Sequence, residues 1–134
     1  MKNDIKKPED RDVTVAIAKK SSEKGQEEWS VHLINNNDVS LENTLVASKG
    51  YGEQNGETQN TSILRHFLET VGAKTTAQIE LIQPEVFHLN NEYWVSYYID
   101  GQLYDKRFTF VPDSISEDNL TYIKELRTKG ILHS

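Results

Sequence analysis

The dipeptide Asp100-Gly101 lies between two runs of alternating apolar residues, 92–99 and 102–111. Asp-Gly in that setting is the strongest short hairpin signal, because a two-residue type I′ turn needs positive φ at both central positions. A two-residue loop also sets the register: Ile99 faces Gln102, Tyr97 faces Tyr104 and Tyr93 faces Phe108. Side chains along a strand alternate between its two faces. One face therefore collects Tyr93, Val95, Tyr97, Ile99, Tyr104, Phe108 and Phe110, which is a core face. The other aligns Trp94 with Arg107, Ser96 with Asp105 and Tyr98 with Leu103. Such a ribbon needs a second apolar layer over its inner face.

The rest of the chain supplies that layer in the same idiom. Residues 1–12 are charged, contain Pro8 and hold almost nothing apolar, so they read as a flexible leader, leaving 13–134 as a single domain. Val13, Val15 and Ile17 alternate along a first strand over 12–19. A polar connection over 20–27 leads to a second strand, 28–35. Its Trp29, Val31 and Leu33 face one way, and Ser30, His32 and Ile34 the other. The cluster Asn35-Asn-Asn-Asp38 is a turn signal, since Asn and Asp tolerate left-handed backbone angles. A third strand is expected over 40–48, followed by a long polar loop over 49–59 with Gly50, Gly52 and Gly56. Residues 61–71 fit two templates. Ile63, Leu64, Phe67, Leu68 and Val71 share a helical face with Thr61 as a cap, but every neighbour is strand, and a strand is the preferred reading. Gly72-Ala-Lys-Thr75 then turns into another strand, 75–82.

Near the end the period changes. Ile115, Leu120, Ile123 and Leu126 recur at helical spacing, Ser114 and Glu117 match a capping box, and Gly130 is placed to stop a helix. The expectation is a mainly β protein: an immunoglobulin-like β-sandwich of about seven antiparallel strands with a C-terminal α-helix over about 115–129. The rhythm of 31–82 is similar to that of bacterial immunoglobulin-like modules, with an Asn-rich turn, a Leu41-Glu-Asn43 strand, a Gly-containing loop and the Gly72-Ala-Lys-Thr75 turn.

Composition narrows the chemistry. With no cysteine, disulfide scaffolds, thiol catalysis and Cys-based zinc sites are excluded. No apolar run approaches the roughly 20 residues of a membrane helix, and the N-terminus lacks a secretory apolar stretch, so a cytoplasmic location is expected. Fifteen basic against 21 acidic side chains give a net charge of −6, which argues against a general nucleic-acid binder. His32, His66, His88 and His133 fall in no metal-ligand spacing, and ordinary structural imidazoles are expected. A small-ligand or metal-binding sandwich using His32, His66 or His88 is the weakest of three functional readings. No carboxylate pair, activated serine or phosphate loop can be picked out. The Asn60 and Asn119 sequons carry no weight without secretion. No catalytic residue, metal site or cofactor is expected.

What remains is the outer face of the Asp100-Gly101 hairpin. Trp94, Tyr98, Leu103 and Arg107 form a candidate interaction patch, with Trp94 placed to stack on Arg107. The competing reading lays the C-terminal helix, or the 49–59 loop, over this face. A non-enzymatic cytoplasmic protein-interaction module, bound to a protein partner or to a second copy of itself, is the favoured reading.

The stretches Glu85-Val-Phe-His-Leu-Asn-Asn-Glu-Tyr-Trp-Val-Ser-Tyr97, Leu120-Thr-Tyr-Ile-Lys-Glu-Leu126 and Gly130-Ile-Leu-His-Ser134 resemble a family of short bacterial proteins often labelled phenylalanyl-tRNA synthetase subunit alpha. The resemblance spans about 12–134 and implies no established activity. The chain is too short for a class II synthetase core, and Arg11, Arg65, Arg107 and Arg127 fall in none of its motifs. The label motivates one alternative function, a synthetase-associated or tRNA-binding accessory factor.

Overall fold

Asp100 and Gly101 both take positive φ, 51° and 75°, and close a tight turn between β7 (Asn90–Ile99) and β8 (Gln102–Phe110) in a computed structural model that describes residues 12–21 and 24–133. The pairing is the one that a two-residue loop dictates, Tyr93 with Phe108, Trp94 with Arg107 and Tyr98 with Leu103. The leader expected over 1–12 lies outside the described residues except for Asp12.

Eight further strands complete two five-stranded sheets. They are β1 (Val13–Ser21), β2 (Glu27–Asn35), β3 (Leu41–Gln54), β4 (Glu57–Asn60), β5 (Leu64–Val71), β6 (Thr75–Ile82), β9 (Thr121–Ile123) and β10 (Thr128–Leu132). The first sheet has the order β6-β2-β1-β10-β9; the second runs β4-β3-β7-β8, with β5 also paired to β3. Every pairing is antiparallel. Among the described residues no helix is long and apolar enough to cross a membrane.

The core lies between the sheets. Val13, Val15 and Ile17 of β1 and Trp29, Val31 and Leu33 of β2 meet Val46, Tyr93, Val95, Tyr97, Phe108 and Phe110 from the other layer. Each large side chain buried there contributes about 1.5–3 kcal/mol. Tyr97 and Tyr104 stack across the hairpin at 5.7 Å and 11°. Residues 64–71 are strand, with Leu68 against the core and Phe67 outward.

The C-terminal helix expected over 115–129 does not form. Glu117–Asn119 make one 3-10 turn, and β9 and β10 take the remainder. Ser114 caps nothing: its hydroxyl donates to the Val111 carbonyl at 2.7 Å, and its own carbonyl accepts from Asn119. The physical reason is an unpaired edge. β10 hydrogen-bonds along β1, matching Ile17 with Ile131, which a helix could not do. Ile123 and Leu126 meanwhile cover Ala16 and Ile34 on the outer side of the same sheet. Spacings of five, three and three, from Ile115 through Leu120 and Ile123 to Leu126, satisfied a helical stripe and this curled ribbon equally. Gly130 is a strand residue, not a helix stop. A Cβ there would sit 2.5 Å from the Ile17 carbonyl oxygen and 2.8 Å from Ile123.

The expected 49–59 loop is also strand. β3 runs on to Gln54, Asn55-Gly56 turns with φ of 55° and 80°, and β4 returns. Gly50 and Gly52 stay in β3 because Leu89 packs where a side chain would stand, 3.3 Å from either Cβ position. With these additions the described residues hold ten strands rather than about seven.

Candidate functional site

Strand pairing in the second sheet brings outward side chains into rows that cross four strands. One row reads Arg65 (β5), Ala47 (β3), Trp94 (β7) and Arg107 (β8). A flanking row reads Phe67, Leu45, Ser96 and Asp105. On the opposite side lie Lys49, Glu92 and Thr109, with Ile63 beside them at the groove. A last row holds Glu42, Tyr98 and Leu103. All four residues of the candidate patch are on this face, as two pairs separated by Ser96 and Asp105. Trp94 is 43% exposed, Tyr98 37% and Leu103 52%. Among the described residues, 115–129 form no α-helix and 49–59 no loop to cover them.

The sequence reading missed half of this face. Leu45, Ile63 and Phe67 are all exposed, and they join Trp94 only because β5 and β7 both flank β3. Ala47, the smallest member of its row, leaves a groove of about 260 Å³ lined by Ile63, Arg65, Glu92, Trp94, Arg107 and Lys49. The Arg107 guanidinium carbon lies 4.7 Å from the Trp94 ring centroid, a cation–π contact. The Glu92 carboxylate is 3.9 Å from both Lys49 Nζ and Arg107 Nε. It is shared between two cations and within hydrogen-bond range of neither.

A second concavity of about 270 Å³ opens between the sheets, lined by Leu64, Leu81, Val86, Asn91 and the Glu80 node. Glu80 of β6 accepts from Ser48 Oγ at 2.9 Å and Tyr93 Oη at 2.9 Å, and its Oε1 lies 2.7 Å from His66 Nε2. Burial, reinforced by the Glu80 charge and hydrogen bond, pushes the Tyr93 phenol far above its ordinary range, so it stays a neutral donor. The serine hydroxyl donates to the carboxylate and not to an imidazole. That order differs from the hydroxyl–imidazole–carboxylate relay of an activated nucleophile. Its evident work is to tie β3, β5 and β7 to β6 across the sandwich.

The four histidines go to four separate places. His32 is buried beside Ser30, 2.8 Å from its hydroxyl, and burial, aided by Lys20, lowers its pKa to about 4. His66 joins Glu80, and His88 Nε2 lies 2.7 Å from the Gln59 amide oxygen. His133 sits edge-on to Phe108 and Phe110, and burial, then Lys106, lowers its pKa. Among the described residues no three His, Cys, Asp or Glu side chains converge as metal ligands. No protein-family model, curated protein or solved structure matches the chain.

Proposed function

We propose that this chain is a non-enzymatic, cytoplasmic protein-binding module of immunoglobulin-like build that works through the outer face of its second sheet. The strand orders β6-β2-β1 and β3-β7-β8 support that build, because they follow the E-B-A and C-F-G orders of immunoglobulin sheets. The addition of β10 and β9 beside β1 is a departure from it. The observation that carries the functional reading is the exposure on one sheet face of Leu45, Ile63, Phe67, Trp94, Tyr98 and Leu103. Isolated apolar residues on a surface are ordinary, but a contiguous field containing Trp, Tyr and Arg has the composition of a partner's anchor.

Replacing Trp94 and Tyr98 by Ser tests the reading. More than half of each side chain is covered, so the urea midpoint should fall while the folded state is retained by circular dichroism, and self-association in light scattering, or recovery of a specific partner in affinity capture, is lost. A folded double variant that keeps the mass and the partners of the parent would refute it.

A further inference from the structure

We infer that the groove over Ala47 receives an extended acidic peptide of the pattern acid–x–apolar–x–acid from a protein partner. This rests on the protein-binding reading above and names the chemistry of the partner. The first argument is charge. In a chain of net charge −6, the groove gathers Lys49, Arg65 and Arg107 against the single carboxylate of Glu92. Arg65 has no hydrogen-bond or ion-pair partner among the described residues, and Arg107 holds Glu92 only at 3.9 Å while lying over Trp94. Cations with so little internal compensation favour an anionic occupant. Asp105, in the flanking row, and Glu42, in the row beyond it, bound the basic zone.

The second argument is geometry. Arg65 and Arg107 occupy opposite ends of a row across four strands. Three strand spacings of about 4.8 Å put their Cα atoms about 14 Å apart, which an extended chain rising about 3.3 Å per residue covers in about four residues. Acidic side chains at i and i+4 then reach the two arginines. Residue i+2 points the same way and lands over Ala47, between Trp94 and Ile63, where only an apolar group is well matched. The one window of this chain with that pattern is 113–117, and its central Ile115 is buried in the core, so a folded second copy does not supply it. Nucleic acid fits less well, since three cations inside an acidic surface release few counterions.

The test uses the whole protein and a nine-residue peptide with Glu-Thr-Leu-Thr-Glu between Gly-Ser and Ser-Gly flanks, titrated in low salt while amide and indole resonances are followed. Saturable shifts at Ala47, Ile63, Arg65 and the Trp94 indole are expected. Arg65→Gln should weaken binding by about fivefold, the upper end for one exposed ion pair. The same peptide with lysines for glutamates should not bind, and Arg65→Glu, which leaves Lys49 and Arg107 against two carboxylates, should erase the preference for the acidic peptide. Equal binding of both peptides, shifts centred elsewhere, no binding at millimolar peptide, or tighter binding of a short oligouridine would each overturn the inference. If the peptide fails while the Trp94/Tyr98 double variant still abolishes association, the acidic-peptide inference falls alone. If association also survives in that variant, the protein-binding reading falls with it.

Discussion

His32 makes the protein's stability fall in mild acid by an amount that the structure allows to be worked out. Its ring lies on the outer side of the first sheet, 6% exposed, between Ala16 and Gln78 on the neighbouring strands. Burial holds its pKa near 4 in the folded state, against 6.5 in the unfolded chain. Well above pH 6.5 the ring is neutral in both states and contributes no pH dependence. Between 6.5 and about 4 the unfolded chain takes up a proton that the folded one resists, so stability drops as pH drops. At about 1.4 kcal/mol for each tenfold difference in proton affinity, the full loss is about 3 kcal/mol. His133 adds to the loss in the same direction. Urea unfolding of the parent and of His32→Gln, at about pH 7.5 and about pH 4, isolates the contribution from carboxylates common to both proteins. The parent should lose about 3 kcal/mol more than the variant between those conditions. Equal losses would show that His32 is solvated or freely protonated in the folded protein, and the argument from burial would fail.

Gly130→Ala should lower stability by about 2–3 kcal/mol through overpacking, because the added carbon meets the Ile17 backbone and no rotamer relieves it; an unchanged melting temperature would mean that β10 does not pair with β1 as described. Gly101→Ala should lower stability by about 1 kcal/mol, since φ at this position is 75°, with the fold retained by circular dichroism. Glu80→Gln places an amide where three groups converge and should lower stability by about 1–3 kcal/mol. Tyr93→Phe should cost less in that background than in the parent, and additive losses in chemical denaturation would deny the shared hydrogen bond.

How much was legible in advance depended on whether a local rule had competitors. Asp100-Gly101 admits essentially one tight hairpin, and period-two alternation then placed Tyr93, Tyr97 and Phe108 inside and Trp94, Tyr98, Leu103 and Arg107 outside with no tertiary information. The segments that resisted were those whose pattern fits two structures. Ile115, Leu120, Ile123 and Leu126 suit a helical stripe, and only the open edge of β1 and the uncovered Ala16 and Ile34 beside it decided for strands. Gly50 and Gly52 suit a loop until Leu89 is seen to occupy the space over them. The candidate site divides in the same way. The hairpin's half of the face follows from neighbours in sequence, whereas Arg65 and Phe67 reach it through β3, some 30 residues away from Trp94 along the chain. The four-strand row, its groove over Ala47 and the Glu80 node exist only once the sheets are assembled, because long-range pairing sets which side chains become neighbours and no local propensity encodes it.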